Sequence, residues 1–159
     1  MKVDEKYHYT ESGLDNVWLV GEGVKFVTLP GGRKEVRISD VEGLHREICR
    51  LLIEEKKSLT GKEFRFLRQE LLLSQATLAK LLEVAEQTIH RWESGKSDIP
   101  RTADALVRML YCQQFDSKCK VNVKERLEKL ADLEDAADSE LIGKNSSKGW
   151  QLQLDLAAA

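Results

Sequence analysis

The stretch Leu73–Arg101, LSQATLAKLLEVAEQTIHRWESGKSDIPR, restricts the fold of this chain more than any other. It holds two short amphipathic segments, Gln75–Leu82 and Glu86–Glu93, too close together for anything but a tight turn between them. Ser74 stands where a helix N-cap belongs, with a hydroxyl to accept from the free N–H groups of the first turn. Ala76, Leu78, Ala79, Leu81 and Leu82 give the first segment an apolar side at roughly helical spacing. In the second segment Ala85, Ile89 and Trp92 fall on one face at i, i+4, i+7. Glu86, Gln87, His90 and Arg91 fall on the opposite face, paired at i, i+4. Ser94-Gly95 ends this segment, because glycine takes the left-handed cap without penalty.

Two short helices across a tight turn, the second anchored by Ile89 and Trp92, predict a helix-turn-helix. The outer strip of the second helix carries what base reading needs. Gln pairs in two places with adenine and Arg with guanine, each pairing worth ~1–3 kcal/mol of discrimination. For an arbitrary helix such a strip is usually no more than a solvated face. Here the turn, the caps and the Trp–Ile anchor favour contact with DNA.

The residues SQATLAKLLEV and EQTIHRWESGK resemble the Cro and lambda-repressor (XRE) class of helix-turn-helix domains over about Thr60–Tyr111. The resemblance implies a compact helical domain, usually dimeric, with its second motif helix in the major groove. The expected base-reading set is Glu86, Gln87, His90 and Arg91. Ser74, Gln75, Thr88, Lys96 and Arg101 are expected at the DNA backbone or minor groove, with Gln75 holding a phosphate. Arg68 and Glu93 match a structural ion pair of the class, which assigns them to stability. Two positions depart from the pattern. The turn residue, usually Gly, is Glu83, and a left-handed conformation costs a non-Gly residue ~1–2 kcal/mol. Glu86 sets a carboxylate near phosphates; it accepts from a cytosine amino group or excludes wrong sequences.

Composition narrows the remaining classes. At 42% hydrophobic and 33% charged, the chain reads as a soluble globular protein of one or two small domains. It contains no long apolar run, so no membrane-spanning helix and no membrane partner are expected. MKVDEKYHY lacks the apolar core of a signal peptide, which points to the cytoplasm. The three cysteines, Cys49, Cys112 and Cys119, form no CxxC pair, which fits reduced thiols and leaves a bridge between Cys112 and Cys119 as the lesser alternative. A net charge of -2 is not that of a general polyanion binder. Nucleic-acid binding must then come from local placement of Lys80, Arg91, Lys96, Arg101 and Arg65.

The expected fold class is α+β: a small N-terminal β-meander with a helix, then an all-α XRE helix-turn-helix domain with a C-terminal helical extension. The expected divisions are 1–58, 59–112 and 113–159. In the first, Lys6–Thr10 alternates aromatic and polar residues, and Val17–Val20, Val24–Leu29 and Lys34–Ile38 read as strands joined by turns at Gly21–Gly23 and Pro30–Gly32. Ser39 and Glu42 fit a capping box for a helix with a stripe of Val41, Leu44, Ile48, Leu51 and Leu52, beside which His45 reads as a packing or surface residue. Thr60–Glu63 is a second capping box, with Phe64, Leu67 and Leu71 facing the core. Past Pro100, Ala103, Leu106, Val107 and Leu110 mark a packing helix. A further helix is expected over about 121–137, with Val123, Leu127, Leu130 and Leu133 as its stripe. It completes the domain or supplies a dimer seam. Residues 143–149 read as a flexible loop, and Gln151–Leu156 alternates as a strand would, suited to a sheet edge or a partner strand.

The N-terminal residues YHYTESGLDNVWL and VEGLHREI, with a β-rich module before an XRE domain, resemble MqsA-like antitoxins of toxin–antitoxin pairs. That resemblance implies an autoregulating repressor whose first module covers a toxin. The zinc cysteines of that family are absent, so no metal and no cofactor are expected. Tyr7 and Tyr9 are the candidate partner anchors, because aromatics dominate interface hot spots; filling a small core is the equal alternative, and the better one for Trp18. The function expected is sequence-specific repression on operator DNA by a homodimer, with antitoxin activity and a cognate toxin partner. The alternative is a stand-alone or prophage regulator with a ligand-sensing or protein-binding first module. Catalysis is not expected: His8, His45 and His90 share no motif with Cys, Ser or paired carboxylates, and Gly31-Gly32 serves a turn between strands.

Overall fold

The structure is a computed structural model that describes residues 5–115, 123–133 and 139–155. Cys119, the outer parts of the expected helix at 121–122 and 134–137, and Leu156 lie outside the described residues. The architecture is mixed α+β, and the chain divides into two compact units, 1–51 with 138–159, and 52–137. The third expected segment, 113–159, is thus shared between the two units.

The first unit is organised by β2 (Val17–Val20), whose alternation sends Val17 and Leu19 inward, both fully buried. It carries a neighbour on each side. β1 (Tyr7–His8) pairs antiparallel, and β5 (Glu140–Ser146) pairs parallel, with Val17 opposite Leu141 and Leu19 opposite Gly143. β6 (Gly149–Asp155) completes the sheet antiparallel to β5, giving the order β1-β2-β5-β6. β3 (Val24–Thr28) and β4 (Lys34–Ile38) pair only with each other, as a separate two-stranded ribbon.

This corrects the expected N-terminal meander and adds a β-hairpin, of which only the second strand was expected, to the expected C-terminal helical extension. Gly21–Gly23 does not close a β2–β3 hairpin. A strand buried like β2 needs partners on both edges, and its second partner comes from more than a hundred residues downstream. Local turn signals carry no trace of that parallel pairing. The expected flexible loop at 143–149 is corrected too: Gly143–Ser146 belong to β5, and only Ser147-Lys148 turn before Gly149. The alternation read at the C-terminus does form a strand, β6.

α1 (Val41–Glu54) buries Leu44, Ile48, Cys49, Leu51 and Leu52, while Val41, expected in the stripe, is 42% exposed. Its cap is Asp40 rather than Ser39. The carboxylate Oδ1 of Asp40 accepts from the N–H of Gly43 at 3.0 Å. A Cβ on residue 43 would lie 2.1 Å from Asp40 Oδ2, so a larger residue there requires the Asp40 carboxylate to shift. α1 also attends to β6, where the N–H of Leu152 donates to Glu47 Oε1 at 3.4 Å and its carbonyl accepts from Arg50 Nη2 at 3.3 Å. Backbone groups on an edge strand invite unwanted pairing, and these two side chains occupy a pair of them.

The second unit holds α2 (Gly61–Glu70), α3 (Gln75–Leu82), α4 (Glu86–Glu93), α5 (Arg101–Phe115) and α6 (Val123–Asp132). The expected capping box at α2 is present in both directions: Thr60 Oγ1 accepts from Glu63 N at 3.2 Å, and Glu63 Oε1 accepts from Thr60 N at 2.9 Å. Phe64, Leu67 and Leu71 enter the core as their spacing predicts. The buried Lys56 ammonium reaches Glu63 Oε1 at 3.3 Å. α5 differs from its expected face. Arg108, wholly buried, donates to Asp104 Oδ1 at 2.6 Å and to the carbonyls of Leu52 at 2.8 Å and Lys57 at 3.2 Å, with a further bond to Lys56 O. It thereby satisfies carbonyls at and beyond the end of α1 that have no helical partner. Turning Asp104 and Arg108 inward rotates Leu106 outward to 39% exposure. In α6 Leu130 is buried and Leu127 is 41% exposed, while Leu133, just past its end, is half-buried. Among the described residues, no helix is long and apolar enough to cross a membrane.

Candidate nucleic-acid interface

α3 starts at Ser74, whose Oγ accepts from the N–H of Thr77 at 3.0 Å. Leu78 and Ala79 are the inward residues; Ala76 is exposed, Leu81 is 56% exposed and Leu82 half-buried, a narrower apolar side than the sequence spacing implies. An eight-residue helix shows the core only two turns, so one stripe of Leu78 and Ala79 suffices. Glu83 ends it in the left-handed conformation, φ 53 and ψ 42, while Val84 N–H donates back to Ala79 O at 3.0 Å. The glycine position of the motif therefore keeps its backbone geometry with a glutamate in place.

α4 follows with Ala85 as an N-cap that contributes no side-chain bond. Ala85 is exposed, which corrects its expected place on the buried face: a cap residue precedes the first helical turn and does not share its periodicity. The inner face is Ile89, Trp92 and Glu93, all buried. Trp92 meets the ring of Phe64 edge-on at 5.9 Å. The start of α2 fits closely against this end of α4, where a Cβ on Gly61 would stand 2.4 Å from Trp92 O.

Glu93 fixes the pitch of α4. Its carboxylate takes Arg68 through Nε and, at 3.1 Å, through Nη2; Arg68 Nη1 also donates to Leu73 O at 2.8 Å. Gln75 Nε2 completes the cluster with a 2.7 Å bond to Glu93 Oε2. One ion pair thus ties α2, the α2–α3 turn, α3 and α4 together. The bond from Gln75 was not legible in the sequence.

With that inner face fixed, Glu86, Gln87, His90 and Arg91 are all exposed and share the outer side of α4. Of the flanking candidates, Ser74, Lys96 and Arg101 are exposed, and Gln75 and Thr88 are half-buried. The hydroxyl of Ser74 is engaged by its cap, and one amide N–H of Gln75 by Glu93. Lys96 follows Gly95, which turns the chain at φ 76, and its N–H donates to Arg91 O at 2.9 Å. Exposed Lys80, Arg91, Lys96 and Arg101 stand against exposed Glu83, Glu86 and Asp98, while the charge of Glu93 is met by Arg68.

The other expected sites lie in the first unit. Tyr9 is only 4% exposed and its hydroxyl is 2.8 Å from His45 Nε2, which favours the core-filling alternative for Tyr9 over the partner anchor and shows His45 as a packing partner. Tyr7 is half-buried. Its hydroxyl donates to Glu11 and its ring meets Phe26 edge-on at 6.1 Å. The bond to Glu11, then burial, then the charge of Glu11 hold the Tyr7 phenol up at about 12. Trp18 is half-exposed, stacked on His8 at 4.2 Å with Lys6 Nζ 5.3 Å from its ring. Among the described residues, no group of three or more His, Cys, Asp or Glu is placed to hold a metal.

A helix-turn-helix family model matches residues 64–104, from Phe64 in α2 to the first turn of α5. Comparison with curated proteins and with solved structures gives no match. The matched family is one of DNA-binding domains. Residues 64–104 are a helix-turn-helix domain of the Cro and lambda-repressor type.

Proposed function

We propose that this protein is a sequence-specific transcriptional repressor that reads its operator with α4. The observation that carries this reading is the division of α4. Ile89, Trp92 and Glu93 are anchored inward, and Gln87, His90, Arg91 and Glu86 are left on the open side of the same helix. Gln87 and Arg91 bring bidentate chemistry for adenine and guanine. Lys96, Arg101, Thr88, Gln75 and the Ser74 end of α3 serve the sugar–phosphate backbone, which sets register without reading sequence. Gln75 keeps one donor hydrogen for a phosphate beyond the one given to Glu93.

The protein acts as a homodimer in this reading. Leu81 and Leu106, with Leu82, Val84, Pro100 and Ala103, border an open groove of about 540 Å³ in the second unit, apolar surface that a second copy would cover. Selection of bound duplexes from a randomised pool tests the proposal. A pseudo-palindrome with half-sites about one helical turn, ~34 Å, apart is expected. Tight binding of a monomer to one half-site would exclude the dimer, and the absence of any preferred sequence would exclude the reading.

We further propose that the repressor is the antitoxin of a type II toxin–antitoxin pair. Support comes from the resemblance of its N-terminal residues to MqsA-like proteins and from a first unit that has its own core, separate from the DNA-binding domain. Tyr7, not the buried Tyr9, is then the aromatic available to a toxin. Growth of cells expressing the neighbouring reading frame, with and without this protein, decides the point. Rescue together with a direct complex supports the antitoxin. A harmless neighbour leaves a stand-alone regulator whose first unit binds a ligand or another protein.

A further inference from the structure

The ribbon of β3 and β4 is not accounted for by the helix-turn-helix. Its base is held firmly. Trp150 Nε1 donates to Ser39 O at 2.8 Å, Ser39 N–H donates to Gly23 O at 2.9 Å, and a Cβ on Gly23 would stand 2.7 Å from the Trp150 ring. Its far end is open. A Cβ placed on Gly31 or Gly32 would meet nothing within 4 Å, and Pro30, Arg33, Lys34 and Thr28 are exposed. Two-stranded ribbons contribute little stability of their own, so one this exposed has a reason other than the core.

Its charge supplies the reason. Residues 24–38 carry Lys25, Arg33, Lys34 and Arg37 against the single acid Glu35, in a chain whose net charge is -2. Arg37 is bonded to Glu35 at 2.9 Å, whereas Lys25, Arg33 and Lys34 make no ion pair among the described residues. The register sets Lys25 directly opposite Arg37, on the same face. Like charges opposed across strands weaken a ribbon. On that face Arg37 is met by Glu35 and Lys25 stays unpaired, while Lys34, opposite Thr28, stands on the other face; a polyanion supplies the counter-charge these cations lack, as an apolar or cationic partner does not. Arg33 and Lys34 stand beside the Gly31-Gly32 tip and Lys25 near the Val24–Ile38 base, so the unpaired cations run along the length of the ribbon.

We propose that the β3–β4 ribbon is a second DNA contact, one that grips the phosphate backbone of duplex DNA through Lys25, Arg33 and Lys34 without reading bases. The inference rests on the DNA-binding reading above and adds to it a sequence-independent arm in the other unit. Phosphate contacts release counterions, so each one steepens the salt dependence of binding by ~0.9 in log K against log salt.

The test uses the full chain, its selected operator, an unrelated duplex of equal length, and a salt series. Lys25→Gln, Arg33→Gln and Lys34→Gln together are expected to reduce the salt slope by about 2 to 3 on both duplexes, with base preference unchanged. The charge-preserving set Lys25→Arg, Arg33→Lys and Lys34→Arg is expected to keep the wild-type slope. An unchanged slope in the Gln variant, while Arg91→Ala still alters base preference, overturns the ribbon proposal alone and leaves the ribbon to an acidic protein partner. Loss of slope in the charge-preserving set also overturns it, because the role is then structural. If the wild type binds neither duplex at low salt, the ribbon proposal and the reading beneath it fall together.

Discussion

Arg68 and Glu93, twenty-five positions apart, form a buried two-bond ion pair, with Arg68 Nη2 donating to Glu93 Oε2 at 3.1 Å. The pair joins α2 to the end of α4, and Gln75 and Leu73 O satisfy further bonds on it. Removing one partner strands a charge away from water. Glu93→Ala is expected to cost about 3–5 kcal/mol in denaturant unfolding. Replacing both partners with apolar residues of similar size is expected to cost much less. A double loss equal to the sum of the two single losses would show that the pair is not coupled.

Glu83 carries a left-handed backbone at φ 53 in the turn between α3 and α4. Glu83→Gly is expected to relieve the steric part of ~1–2 kcal/mol, offset in part by the greater chain entropy of glycine when unfolded. A net gain of about 1 kcal/mol or less in equilibrium unfolding is the outcome to look for. A loss of stability would mean that the glutamate side chain supports the turn by contacts of its own.

Tyr7 donates to the carboxylate of Glu11, and its phenol is raised from 10.0 to about 12, first by that bond and then by burial and charge. A phenol raised in the folded state stabilises the fold fully below its unfolded value. That contribution disappears as pH climbs from about 10 toward about 12. Glu11→Ala is expected to return the Tyr7 titration, followed by ultraviolet absorbance, toward 10. An unmoved titration would assign the shift to burial instead.

The helix-turn-helix was legible because its signals are local. The Ser74 cap, the Ile89–Trp92 spacing and the Thr60–Glu63 capping box each lie within a few residues, and the structure shows all three. Arg68 and Glu93 were legible only through resemblance, since nothing in their spacing pairs them. The first unit was misread where pairing is distant. The strand VWLV gives no sign that its parallel partner is Leu141–Lys144, and the short turn at Gly21–Gly23 invites the wrong neighbour. Apolar counting also failed at Leu106 and Leu81, both exposed. At α5 a buried charged pair took the inward face: Asp104 and Arg108 at i, i+4 were the available hint. Tyr9 was left open between core and partner for a related reason. Its partner His45 is thirty-six positions away.

Base reading by the exposed side of α4 is tested by affinity across all single-base variants of the selected operator. Wild type, Arg91→Ala and Gln75→Ala are compared at one salt concentration. Arg91→Ala is expected to flatten preference at one base position by ~1–3 kcal/mol and to leave the other positions as they were. Gln75→Ala is expected to weaken every sequence alike. A preference profile unaltered by Arg91→Ala, or a loss from Gln75→Ala confined to one base pair, would contradict the assignment of reader and backbone roles made here.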